Sequence, residues 1–166
     1  MSFKTRKAVA AEDVKYALIN NSQTLSVGEV IIPAVQGDTA CVSTGGGTTA
    51  GLLGVVLGIV GDRGRVLERD TVAAAADNVT VARLKVAYVP MYRDIEFDTE
   101  LDANAETTDD SGAFGNFAVD STGLFLAESS YTAFGTVANK QFFSYGLVDS
   151  NTLRRVTCRY IGGAII

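Results

Sequence analysis

The sequence predicts an all-β protein with an N-terminal arm. Three observations carry that prediction. From Leu25 onward, short runs of Val, Ile, Leu, Thr, Phe and Tyr are broken by Gly, Asp and Asn, the texture of strands separated by tight turns. The chain has 17 glycines and only 2 prolines, which suits many turns between strands that keep their ladder hydrogen bonds. No long stretch repeats its apolar residues at the helical period.

Residues 1 to about 24 are assigned to the arm. A helix drawn through Val14 and Leu18 has a thin apolar stripe, and the polar run from Asn20 to Thr24 ends it abruptly. The remaining residues, 25–166, are assigned to a single β-domain, since 166 residues fit one domain of ordinary size. Its expected strands are EVIIPAV, TACVS, GLLGVVLGIV, GRVLE, NVTVARLKVAYVP, DIEFDTELD, GNFAVD, GLFLAES, KQFFSYGLV and LRRVTCRYI. GDRG at 61–64 reads as a hairpin turn, because Gly supplies positive φ and Asp tolerates it. VDSTGLF (119–125) and VDSNTLRR (148–155) read as similar turns.

The stretch GGGTTAGLLGVVLGIVGDRG, Gly45 to Gly64, invites three ligand or membrane readings, and each lacks a required feature. A phosphate-binding P-loop needs a Lys after its second Gly, where this chain has Leu52 and Leu53. A dinucleotide fingerprint needs a helix after its glycines, and here another β-rich run follows. The small-xxx-small spacing of Gly47, Gly51, Gly54 and Gly58 falls in an apolar run far shorter than the ~20 residues that span a bilayer. A loop at 45–47, a buried strand region over 51–60 and the hairpin at 61–64 remain. Gly54 and Gly58 are expected to sit where another backbone packs close or the sheet turns sharply, so that Val at either would impair folding or assembly.

Composition narrows the function. Hydrophobic residues at 47% and charged residues at 20% indicate a folded chain. A net charge of −5 repels polyanions, so no nucleic-acid partner is expected. No secretory signal is legible at the N-terminus, so the protein is expected to remain in the cytoplasm where it is made, without a membrane partner. The chain contains no His, which removes Ser-His-Asp and Cys-His nucleophilic schemes and all histidine metal ligation. No catalytic residue, cofactor or metal is expected. Cys41 and Cys158 lack any zinc-type spacing and read as buried thiols. The Asn78-Val79-Thr80 sequon reads as a coincidence of a Thr/Val-rich strand.

Two charge patterns stand out. In RDIEFDTELD, period-two alternation puts Asp94, Glu96, Asp98, Glu100 and Asp102 on one strand face and Ile95, Phe97, Thr99 and Leu101 on the other. A calcium loop starting at Asp98 would need Gly at its sixth position, which is Ala103, and a closing Glu that is absent. The strip therefore reads as a solvated face that discourages edge aggregation, or as a charged docking face for a basic partner. At the N-terminus, Phe3, Lys4, Arg6 and Lys7 form a short basic segment suited to a partner's acidic surface or to the edge of its sheet. Near the other end, Arg155, Thr157 and Arg159 share one strand face, to meet the acidic strip within an oligomer or to face water.

The succession GLLGVVLGIVGDRGRVLERDTV, DNVTVARLKVAYVP, DIEFDTELDA and LRRVTCRYI resembles the small head-decoration, or capsid cement, proteins of tailed bacteriophages. The resemblance runs from about Thr39 to Ile161 as an order of strands and turns. It implies a compact β-sandwich or barrel-like domain of the β-tulip type in a virion structural protein, often homotrimeric, that binds the exterior of the expanded capsid and bridges major capsid protein subunits. It also implies an arm that adds to a sheet of the capsid protein. The alternatives are another virion component, such as a tail-tube, neck or minor head protein, or a small β-barrel enzyme or ligand-binding module.

Overall fold

A computed structural model describes residues 2–34, 39–44, 52–91, 95–102, 114–127, 141–147 and 155–162. Its strands are β1 (Lys4–Thr5), β2 (Lys15–Ile19), β3 (Thr24–Ser26), β4 (Val30–Pro33), β5 (Ala40–Ser43), β6 (Gly54–Val60) and β7 (Val66–Leu67), followed by β8 (Thr71–Ala73), β9 (Lys85–Pro90), β10 (Glu96–Glu100), β11 (Phe114–Phe117), β12 (Phe142–Leu147) and β13 (Arg155–Tyr160). A 3-10 turn at Ala11–Asp13 and one helical turn, α1 (Asn78–Val81), complete the described elements. The protein is all-β, as its alternating texture requires.

The chain falls into two compact units. One is drawn from Met1–Ala8, Thr44–Gly51 and Tyr92–Ile166, the other from Val9–Ser43 and Leu52–Met91. The residues read as an arm are thus divided between two sheets. β1 belongs to the first unit and β2 to the second, each hydrogen-bonded along its length.

In the second unit, β4, β5, β2, β9 and β6 pair in that order, and β6 pairs back onto β4 to close a small barrel. β2 and β5 run parallel, while the other barrel pairs are antiparallel. Closure removes exposed sheet edges. Period-two alternation sends Ala17 and Ile19 of β2 and Val86 and Tyr88 of β9 to the interior with Ile31 and Cys41, a bulge in β6 brings both Val56 and Ile59 to it, and the β3–β8 pair adds Leu25 and Val72 to the same core.

The glycines of β6 have unlike roles. A Cβ at Gly54 would overlap the Val89 carbonyl oxygen and Tyr88 Cδ2, so this is a genuine close approach of backbones. A Cβ at Gly58 would meet only Val66 Cγ1, at 4.0 Å. Of the two roles expected of these glycines, close backbone approach is found at Gly54, while Gly58 lies at an irregularity of the strand and has no backbone close to where its Cβ would lie. Gly58 follows a bulge that shifts the β6–β9 register after Val56 and turns its Cα toward open space. The hairpin at 61–64 forms as expected. The Gly61 amide donates to the Arg65 carbonyl at 2.9 Å, Gly64 takes φ +70, and β6 pairs with β7.

Asn78–Val81, expected as strand, is instead α1. The Asn78 side chain is buried, donates to the carbonyls of Ile19 (2.6 Å) and Leu84 (3.0 Å), and accepts from the Leu84 amide (2.8 Å). Those bonds tie the end of β2 to the start of β9. Their geometry overrides the β-propensity of Val and Thr, as local side-chain bonds to backbone do.

In the first unit, β1, β10, β13, β12 and β11 form an antiparallel sheet in that order. Its core is aromatic. Phe3, Phe97 and Phe142 are fully buried, with ring centroids 5.0 Å apart for Phe3–Phe142, 6.1 Å for Phe3–Phe97 and 6.3 Å for Phe97–Phe142. Within its described residues, 123–127, the expected strand GLFLAES forms isolated bridges from Leu126 to Leu101 and Val119. The turn before it is built by Asp120, whose carboxylate accepts from Thr122 Oγ1 and the amides of Leu124 and Phe125. The turn expected at 148–154 lies outside the described residues.

Cys41 lies in the barrel core and Cys158 in the sheet core, both buried free thiols. Burial pushes the Cys41 thiol up from 9.0 to about 12 and raises that of Cys158 well above its ordinary range. At pH 8 the folded protein is expected to react with a disulfide reagent at least ~100-fold more slowly than the unfolded chain, because attack needs a thiolate and an opening. Comparable rates in buffer and in denaturant would overturn this. The sign of the linkage follows. Stability contributed by the neutral Cys41 thiol is fully present below pH 9.0 and falls as pH rises toward 12, where only the unfolded chain ionises.

Candidate functional site

The charged patterns found in the sequence come together on the outer face of the five-stranded sheet. Along β10 the alternation is realised: Phe97 and Thr99 are buried, while Glu96, Asp98 and Glu100 are partly exposed on the opposite face. β10 is not an edge, however, because β1 flanks it on one side and β13 on the other. On β13, Arg159 stands opposite Glu96, Thr157 opposite Asp98 and Arg155 opposite Glu100. The Thr157 hydroxyl donates to Asp98 Oδ1 at 2.9 Å. The row of Arg155, Thr157 and Arg159 thus meets the acidic strip inside its own sheet.

The other flank is basic as well. Lys4 stands opposite Asp98. Arg6 Nε lies 3.3 Å from Asp98 Oδ1 and Arg6 NH1 lies 4.0 Å from Glu96 Oε2. The arm residues are therefore engaged with their own sheet. Phe3 is 2% exposed in the aromatic core, Arg6 pairs with Asp98 while its side chain stays 45% exposed, and Lys4 and Lys7 are exposed as well. Three carboxylates of β10 face Lys4, Arg6, Arg155 and Arg159, a mixed-charge ladder in place of an acidic strip. Opposite charges across a ladder contribute roughly 0.2–1 kcal/mol each at such exposure. Asp102 is exposed just beyond β10, and its amide donates to the Leu126 carbonyl at 2.9 Å. Asp94, Arg154 and Ala103 lie outside the described residues.

The face carries aromatic residues that the charge patterns did not signal. Period two along Phe142-Phe143-Ser144-Tyr145 buries Phe142 and Ser144 and turns Phe143 and Tyr145 outward. Tyr145 is 37% exposed at a bulge in the β12–β13 register. Phe143 packs edge-on against its ring at 5.4 Å, and the Arg159 guanidinium sits 5.4 Å from the Tyr145 centroid. The alternation of KQFFSYGLV was legible in the sequence. The pairing with Arg159 was not, because it depends on which strand lies beside β12.

Chemically, the face offers charge pairs and an amphipathic aromatic side chain. Among the described residues, no three His, Cys, Asp or Glu side chains gather into a metal-holding group, and no helix is long and apolar enough to cross a membrane. The fold and this face define an all-β protein built from a small closed barrel and an antiparallel sheet whose outer surface is a mixed-charge, aromatic-bearing plane. Compared with protein-family models, curated proteins and solved structures, the chain matches none.

Proposed function

We propose that the protein is a virion structural component that binds the exterior of an expanded phage capsid and bridges major capsid protein subunits, as a small closed oligomer, expected to be a homotrimer. The observation that carries this reading is the outer sheet face. Its carboxylates lie beside Lys4, Arg6, Arg155 and Arg159 across the ladder instead of converging on a substrate, and Tyr145, 37% exposed, is flanked by Phe143 and Arg159. Tyr and Arg are the residue types that anchor protein interfaces. A mixed-charge face carrying an exposed aromatic side chain suits a partner protein better than a small molecule, which is held in a concave pocket. The resemblance of the sequence to capsid cement proteins supports the same reading; the segments that carry it fall on β6, β7 and β8, then α1 and β9, then β10, then β13. Weak contacts of this kind become strong when repeated by symmetry over a shell.

The test is co-sedimentation with undecorated expanded shells. Saturable binding is expected, and failure to co-sediment at any salt concentration would sink the proposal. Tyr145→Ala is expected to weaken shell binding at least tenfold, about 1.4 kcal/mol, while leaving the melting temperature within 2–3 °C of the parent, roughly the shift that corresponds to 1 kcal/mol in a chain of this size. Unchanged affinity would remove the aromatic face from the interface.

A further inference from the structure

Phe3, Lys4, Thr5 and Arg6 make a connected set of contacts with one sheet, yet the segment that follows directly, Val9–Ser43, belongs to the other unit. The ladder to β10 pairs Lys4 with Asp98 and Thr5 with Phe97, extended by the Arg6 amide donating to the Glu96 carbonyl at 3.0 Å. Phe3 fills a socket bounded by Phe97 and Phe142. Arg6 locks the register through Asp98. Beyond Lys7 the connection runs through exposed Ala8 and Ala10 before the turn at Ala11–Asp13. The segment is therefore a plug with a complete set of recognition elements: an aromatic knob, a short ladder and a charge lock.

We infer that residues 2–7 exchange between copies of this chain, the plug of one molecule seating in the β10 edge and Phe97–Phe142 socket of another. Among the described residues, the ladder, ring and charge contacts of the plug are with the sheet it caps, so a plug arriving from a second copy reproduces them while the path of the connection changes. A two-residue strand opens far more often than the whole sheet unfolds, which gives exchange a route that does not require global unfolding. Reciprocal exchange in a pair and cyclic exchange around a ring close equally well, so the inference stands independently of the capsid reading.

The experiment mixes two separately purified full-length variants, Lys4→Cys and Asp98→Cys, at high concentration and then oxidises them. A cross-strand pair places the two Cα atoms in the range a disulfide spans, so a covalent heterodimer reports residue 4 of one chain lying against residue 98 of another. Heterodimer yield is expected to exceed at least tenfold that from Lys7→Cys mixed with Asp98→Cys, and to collapse when Phe3→Ala is added to the Lys4→Cys chain. Should Asp98→Cys fail to fold, Arg6→Cys with Glu96→Cys tests the same ladder. A yield no higher than the Lys7→Cys control, or one unaffected by loss of Phe3, overturns the inference. Neither outcome depends on shell binding, so its failure is distinguishable from failure of the functional proposal.

Discussion

Gly54→Val is expected to prevent the barrel from closing. The new Cβ would overlap the Val89 carbonyl oxygen and the Tyr88 ring, and Gly54 pairs with Pro90 on one side and Ile31 on the other. Neither neighbour is a flexible side-chain tip that moves aside. Overpacking a buried site commonly costs about 1–3 kcal/mol. Here the clash is with backbone at a strand held on both flanks, so the upper end of that range or more is expected. Against the few kcal/mol of margin a single unit holds, this should leave the chain insoluble or its barrel unfolded. Gly58→Val is the internal control. Its side chain enters open space beside Val66, and a β-branched residue suits a strand, so a change within about 0.5 kcal/mol is expected. Denaturant unfolding of the two variants, followed by near-ultraviolet circular dichroism, decides the matter. Equal behaviour of the two would show that the close approach at Gly54 is not what β6 depends on.

Phe3→Ala is the second large effect, and it falls on the other unit. Phe3 is 2% exposed and touches Phe97 and Phe142, both fully buried. Truncating a core Phe costs roughly 3–5 kcal/mol through lost transfer energy and the cavity left behind. Losing Phe3 also releases the β1 ladder and the Arg6–Asp98 pair. Phe3→Leu should recover about half of the loss, because much of the cost is cavity volume. With two compact units, unfolding need not be a single transition, so the effect is read where the sheet's signal changes. A loss below about 1 kcal/mol would mean that Phe3 is dispensable to the sheet and that the N-terminal segment is no plug.

Much of this fold was legible in the sequence. Period-two alternation gave β10 its buried and exposed faces, and the Gly-Asp-Arg-Gly turn gave the β6–β7 hairpin, because both depend on residues adjacent in the chain. The N-terminal segment was not legible. β1 is two residues long, β2 is five, and β3 is three; such lengths are too short to establish a period, and their stability comes from partners far along the chain. Asn78 misled in the same way, since Val79 and Thr80 favour strand while the bonds of its amide to Ile19 and Leu84 impose a turn.

For the candidate surface, the sequence by itself determined the inventory: a carboxylate row on alternate positions, an arginine row on alternate positions, a basic segment around Phe3, and no histidine anywhere. It also determined that each row would occupy one face of its strand, since alternation is a local property of extended backbone. Only the tertiary structure decided that the rows are neighbours. β10 lies between β1 and β13, and that placement turns three separate charge patterns into one compensated face and turns an apparent arm into part of the core. Strand order is fixed by which apolar faces share a core and by where the Phe3, Phe97 and Phe142 rings pack. Those are long-range choices that a linear pattern of charges does not encode.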